Sequence, residues 1–418
     1  MSVVTGPDVS AAAVPPRERK RSWVWLWLLL VLVALSAARV VADADDIDSA
    51  GTLRAALTLA IPIALAGLGG LWSERAGVVN IGLEGMMILG TLGAGYYTYH
   101  FGVWAGLLGA MAFGAIGGVL HAVATVVFGV DHIVSGVAVN IIAGGAAAFL
   151  AEVFFAELEG GGPTQSPSLD SPPSFDVPGV SGAANDLADK GWFLISDAAS
   201  FVAALTTGMS VFTLLAFAAI GGTAWLLWHT AFGLRLRSCG ESPTAAETLG
   251  VNVYRYKFLA VTVSGALAGF AGCYLAVVAS SGYANGQTNG RGYIGLAAMI
   301  FGNWRPGGLL TGSLLFGYTD AARLRSGGES VHALLLIAAT GLFALAAWQL
   351  RQLRRSAATG AAMAGVVVLV WFLTTETIPD DFTQMTPYVT TLLVLALFSQ
   401  RLRMPAADGQ PYRKGQAG

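Results

Sequence analysis

The sequence predicts an all-α protein, a polytopic transmembrane helical bundle of about ten to twelve spans, on three observations. First, 55% of its 418 residues are apolar and only 11% are charged, whereas a soluble domain carries about 25% charged residues. Second, apolar runs close to the ~20 residues needed to cross ~30 Å of hydrocarbon recur along the chain. Third, the 54 glycines lie mostly inside those runs. In water each would cost a helix roughly 1 kcal/mol, but in lipid a small residue lets two helix backbones approach closely. The 23 basic and 25 acidic residues are mostly grouped between apolar runs and cannot furnish a polar shell, so the expected solvent is membrane lipid. A net charge of −2 gives no reason to expect a nucleic-acid partner.

Residues 1–21 are polar, contain Pro15 and Pro16, and end in Arg17, Arg19, Lys20 and Arg21, which reads as a cytoplasmic tail. Trp23, Trp25 and Trp27 follow as interfacial anchors. The apolar run to about residue 42 is long for a cleaved signal peptide, so an uncleaved first helix is expected. Further spans read near 52–72, 78–99, 102–129, 133–156, 202–230 and 258–280. A short pair near 292–322 follows, either two spans or re-entrant, and then 331–350, 358–376 and 386–400. The membrane-spanning part thus runs over 22–400, with a C-terminal tail at 401–418.

The loops assign the sides. With the N-terminus inside, the basic stretches 233–257, 351–355 and 401–414 fall inside, as the positive-inside rule requires. The acidic stretches Asp43–Asp48, 157–189 and Glu376–Asp381 fall outside, and Arg323 and Arg325 are the exception. Both termini are therefore expected in the cytoplasm. Segment 157–200, rich in Gly, Pro, Ser and Asp, reads as an outer loop with room for partial order, rather than a domain. Gly114 and Gly118, Gly265 and Gly269, and Gly308 and Gly312 each place two small residues on one helix face, a packing device. Cys239 and Cys273 suggest no disulfide, and the five histidines have no metal-ligand spacing.

Two stretches stand out as carriers of function. Asn80-Ile-Gly-Leu-Glu84 puts an amide and a carboxylate four residues apart in an apolar run, on one face if helical. Such groups line a polar path or bind a neighbouring helix. Asn140 is a further candidate for the path, and His121 a weaker one. The second stretch, 232–257, lies between two spans: Ser242 can cap a short helix whose first residue is Pro243, Ala245 and Ala246 favour helix, and Gly250 ends it. A helix of two turns is unstable alone, so it must dock on the bundle or on a partner; the residues alone leave both open. None of the four lysines sits in a phosphate-binding glycine loop, and no hydrolase or metalloprotease signature occurs, so no enzymatic activity and no cofactor are expected.

Three longer motifs contain these stretches: Glu74-Arg-Ala-Gly-Val-Val-Asn-Ile-Gly-Leu-Glu-Gly-Met-Met87, Gly240-Glu-Ser-Pro-Thr-Ala-Ala-Glu-Thr-Leu-Gly-Val-Asn252, and Gly290-Arg-Gly-Tyr-Ile-Gly-Leu-Ala-Ala-Met-Ile-Phe-Gly-Asn-Trp-Arg-Pro-Gly307. Through them, and through Pro387-Tyr-Val-Thr-Thr-Leu-Leu and Gly409-Gln-Pro-Tyr412, the chain resembles permease subunits of bacterial ABC importers in the branched-chain amino acid and simple-sugar permease family. It looks most like the members assigned to nucleoside uptake. The resemblance covers about 50–325 and 385–413.

The resemblance implies that the short helix is the coupling helix, docking into a groove of the ATPase through Glu241, Ser242, Ala245, Ala246, Leu249 and Gly250. Thr244 departs from the family's frequent glutamate before the alanines. It further implies a second permease subunit completing the pathway, an ABC ATPase partner, an extracytoplasmic substrate-binding lipoprotein and a bacterial plasma membrane. Nucleosides rank first as substrate, with simple sugars or branched-chain amino acids as alternatives. Residues 331–376 read as an additional two-span hairpin, peripheral to the bundle. A secondary transporter or channel is the rival reading, and it leaves the docking loop without a purpose.

Overall fold

The computed structural model describes residues 24–383, 385, 386, 389 and 402–415. The expected tail 1–21, the Pro387-Tyr motif and nearly all of the expected last span 386–400 lie outside the described residues. The order of elements is α1 (Val24–Ala42), α2 (Ala50–Arg75), α3 (Leu83–Phe101), α4 (Val103–Ala122), α5 (His132–Phe155), β1 (Ser174–Phe175), α6 (Ser181–Ala188), α7 (Ile195–Thr206), β2 (Met209–Ser210) and α8 (Val211–His229). It continues with α9 (Ala231–Glu241), α10 (Pro243–Thr248), α11 (Val253–Cys273), α12 (Arg291–Phe301), α13 (Pro306–Arg351), α14 (Arg355–Thr374) and α15 (Asp380–Thr383). π-helical turns at 123–127 and 274–279 extend α4 and α11. The protein is a multi-pass helical bundle: among the described residues seven helices are long and apolar enough to cross a membrane.

The other expected crossings are shorter, more polar or outside the described residues. α3 has 19 residues but spends several on Gly, Thr and Tyr. α12 has only 11, a length of about 16 Å at 1.5 Å per residue, half of the ~30 Å core. It is reached through non-helical backbone at 280–290, so this crossing is broken. Its partner in the short pair is the first half of α13, residues 306–326, which the non-helical Gly327 (φ 55, ψ −125) parts from the second half, the expected 331–350 span.

Two helices form the axis of the bundle: most of α2 and α11 is buried, whereas α5 and α14 expose most of their surface. Glycine makes the axis possible. A Cβ on Gly114 would lie 2.3 Å from the Gly265 carbonyl oxygen, and one on Gly269 would lie 2.2 Å from that of Ala110. The small-residue pairs of α4 and α11 therefore meet each other, backbone on backbone. Gly308 packs in the same way on Gly302.

Segment 157–200 is a partly ordered connection. It carries α6 and the start of α7, and β1 pairs antiparallel with β2. The expected 202–230 span is accordingly two helices, α7 and α8, parted at residues 207–210. At this end Arg39 lies 3.8 Å from Asp48 and 3.2 Å from Asp197, both carboxylates buried. That cluster ties α1, the start of α2 and α7 together. Burial, with Asp197 beside it, pushes the Asp48 carboxyl up to about 7 despite Arg39.

Candidate coupling element and polar core

The chain leaves α8 through Thr230, whose hydroxyl accepts the Gly233 N–H and starts α9. α9 ends at Glu241, and Pro243 opens α10 at the position where a missing N–H costs nothing. The expected Ser242 side-chain cap is not formed; the Ser242 carbonyl instead accepts the Ala246 N–H at 3.0 Å. Gly250, at φ +83, turns the chain out of the helix, and its N–H donates to the Glu247 carbonyl. The six coupling candidates thus divide by exposure. Glu241, Ser242, Ala245, Leu249 and Gly250 face outward, with Leu249 84% exposed, whereas Ala246 is 2% exposed and packs on Cys239 and Val253.

What braces α10 is the C-terminal segment 402–415, which the sequence placed in the cytoplasmic tail without assigning it a contact. The Ala407 N–H donates to the Gly240 carbonyl at 2.8 Å, and the Ala406 N–H to Glu241 Oε2 at 3.2 Å. The Tyr412 hydroxyl donates to Glu247 Oε2 at 2.6 Å, and the Tyr412 and Tyr254 rings lie 5.3 Å apart. Asp408 is buried beside Glu74, and that burial raises its carboxyl above the usual range. Lys257 Nζ reaches the Gly77 carbonyl at 3.2 Å and stands 6.0 Å from the Tyr412 ring centroid. Trp304 Nε1 donates to Glu74 Oε2, and Arg75 donates twice to the Trp304 carbonyl, at 2.6 and 3.0 Å. The Gly409-Gln-Pro-Tyr412 motif was the available signal for this strap.

The three path candidates sit around a break in the helices. Residues 76–82 are not helical and α3 begins only at Leu83, so Asn80 and Glu84 do not share a helical face. The Asn80 carboxamide accepts the Gly82 N–H at 3.0 Å and donates to Ser264 Oγ at 2.9 Å, joining the break to α11. Glu84 Oε1 accepts the Gly290 N–H at 2.9 Å and Oε2 the Gly292 N–H at 2.7 Å. A carboxylate is thereby set on the positive end of the half-length helix α12. Asn140 accepts the Gly85 N–H at 2.7 Å and donates to the Ile81 carbonyl and the Tyr293 hydroxyl at 3.0 and 2.9 Å. His121 bridges Ser135 and the Val79 carbonyl at 2.8 and 3.0 Å. Asn80 and Glu84 are buried, whereas Asn140 is half-buried beside the exposed Tyr293. The arrangement fixes irregular backbone inside the bundle, which membranes tolerate only where its polar groups are satisfied by protein or a cavity.

Residues 52–339 match the family described as branched-chain amino acid transport system / permease component. The chain belongs to that family. As a permease component it is a transport subunit rather than an enzyme. It is 32% identical over 371 residues to the guanosine ABC transporter permease protein NupQ of Bacillus subtilis, a match covering 87% of this chain and 96% of the relative. It is 34% identical over 367 residues to the nucleoside ABC transporter permease protein NupC of Lactococcus lactis, covering 86% and 96%. The putative glucose ABC transporter permease protein TsgC13 of Haloferax volcanii is 33% identical over 283 residues, covering 66% of this permease and 78% of its own chain. No solved structure matches.

Proposed function

We propose that this permease forms half of the translocation pathway of an ABC importer for nucleosides, with α10 as the element through which a separate ATPase drives it. The observation that carries the reading is an exposed six-residue helix presenting Leu249 to solvent while its other face is held by Ala246 and the Tyr412–Glu247 bond. An isolated helix this short is unstable, and a bare leucine at its tip suits a groove on a partner. The names of the Bacillus and Lactococcus relatives support nucleosides; the Haloferax relative favours a sugar as second reading. A second permease subunit and an extracytoplasmic binding lipoprotein complete the assembly.

Both termini lie in the cytoplasm on this reading, which the basic stretches 233–257, 351–355 and 401–414 support. Glu241, Ser242, Ala245, Leu249 and Gly250 contribute the docking face, and Ala246 seats it from beneath. Asn140, with Tyr293, faces the path; Asn80 and Glu84 hold the backbone behind it. The hairpin of α14 on the second half of α13 supports the bundle from its edge. ATP-driven closure of the ATPases pushes α10 and switches the bundle between outward- and inward-facing states, which need differ by only a few kcal/mol.

Co-purification followed by uptake in proteoliposomes tests the proposal. An ATPase and a second permease should accompany the chain, and nucleoside uptake should stop without ATP. Uptake that persists without ATP, with no ATPase retained, would overturn it in favour of a secondary transporter or channel.

A further inference from the structure

Next to α10, where the spans α2 and α8 end, Arg75, Arg237, Arg305, Arg403, Trp228 and Glu241 enclose a cavity of about 290 Å³. The guanidinium carbons of Arg75 and Arg237 stand 5.4 and 5.5 Å from the Trp228 ring centroid. Arg237 Nε donates to the Leu227 carbonyl at 2.9 Å, so its terminal nitrogens are the ones a ligand can use. The Arg403 N–H donates to Asn303 Oδ1 at 2.7 Å, which fixes the C-terminal segment across the opening. Among the described residues, Glu241 is the one carboxylate on this wall, 3.8 Å from Arg75 and half exposed.

The Arg75, Arg237 and Arg305 charges repel one another here, and the half-exposed Glu241 together with the more distant Asp408 offsets only part of that. An anion in the cavity removes the repulsion, and Arg is the side chain that grips phosphate oxygens in a planar fork. The depth is informative as well. Trp228 is the penultimate residue of a span, the level where tryptophans meet lipid headgroups, and basic pockets between spans recognise anionic headgroups.

We propose that this cavity binds a phosphate-bearing anion, supplied by the headgroup of an acidic phospholipid or by soluble phosphate. The bound anion would join α2, α9, the 302–305 turn and the C-terminal segment beside the coupling helix. This site stands apart from the transport reading, because anion binding needs neither the ATPase nor a transported solute.

The test uses the full-length chain in neutral-lipid nanodiscs, titrated separately with phosphatidylglycerol, inorganic phosphate and extra phosphatidylcholine. Arg305→Gln and Arg403→Gln are the variants, since both side chains are exposed and their loss should not disturb folding. Phosphatidylglycerol or phosphate should raise the melting temperature by several degrees, phosphatidylcholine should not, and each variant should weaken the apparent Kd about tenfold. A response to phosphatidylglycerol alone identifies a lipid site, and one to phosphate a soluble ligand; either supports the proposal. No response, or an undiminished response in both variants, overturns it. So does a variant that loses the ATPase while keeping its anion response, which would make the wall a protein contact.

Discussion

Glu84 offers the sharpest test of how the broken crossing is held. Its two carboxylate oxygens accept the N–H groups of Gly290 and Gly292, at 2.9 and 2.7 Å, at the start of α12. Hydrogen bonds to a charged group contribute about 1.5–3 kcal/mol each, so Glu84→Ala should cost roughly 3–6 kcal/mol of local stability. Glu84→Gln keeps one acceptor but turns an NH2 toward the other N–H, and should lose about half of that or more. The assay is thermal unfolding of the purified permease, read beside hydrogen exchange at residues 290–301 and uptake in the assembled transporter. Both variants should melt lower, exchange faster at the start of α12 and transport less, in the order Ala, Gln, wild type. A Glu84→Gln protein with unchanged melting and exchange but no uptake would refute the clasp and return Glu84 to the solute path.

Three other perturbations follow from the same geometry. Tyr412→Phe removes the hydroxyl that binds Glu247 at 2.6 Å and should free α10 by about 1–3 kcal/mol, raising ATPase turnover per solute moved; an unchanged ratio would count against the strap. Asp48 is raised from its ordinary 3.8 to about 7 by burial, so its stabilising contribution is present below about pH 4 and is lost as pH rises towards 7. Asp48→Asn should therefore raise the melting temperature more at pH 8 than at pH 5, and an equal effect at both would contradict the assignment. Gly269→Ala drives a Cβ to 2.2 Å from the Ala110 carbonyl oxygen and should cost about 1–3 kcal/mol or more by overpacking, visible as reduced yield of folded protein.

Much of the fold was legible because the membrane imposes simple rules. Apolar run length found α1, α2, α4, α5, α8, α11 and α14, and the paired glycines of α4 and α11 announced a contact that proved to be with each other. Hydropathy could not see the break at 76–82, because Val78, Val79 and Ile81 are as apolar as a helix there would be. It missed the broken crossing for the same reason: 292–301 reads apolar whether it spans or stops halfway. The division of α7 from α8 turned on Gly208 at φ +63 and the β1–β2 pairing, both set by distant chain. Among site residues, spacing found Pro243 and Gly250 at the ends of α10, because caps are local. It could not show that Ala246 is buried while Leu249 is bare, nor that Tyr412 returns across 165 residues to Glu247, since both depend on tertiary packing.

That distinction selects the decisive variant. A charge at Ala246 would disturb the chain's own packing, whereas Leu249 touches solvent and can be changed without moving the bundle. The most direct measurement is nucleoside uptake against ATP hydrolysis in proteoliposomes carrying the complete transporter with Leu249→Asp. The expected result is normal membrane insertion and melting, with ATP-dependent uptake reduced at least tenfold, about 1.4 kcal/mol or more in coupling. Wild-type uptake at unchanged ATP consumption would contradict the claim that energy enters this permease through α10.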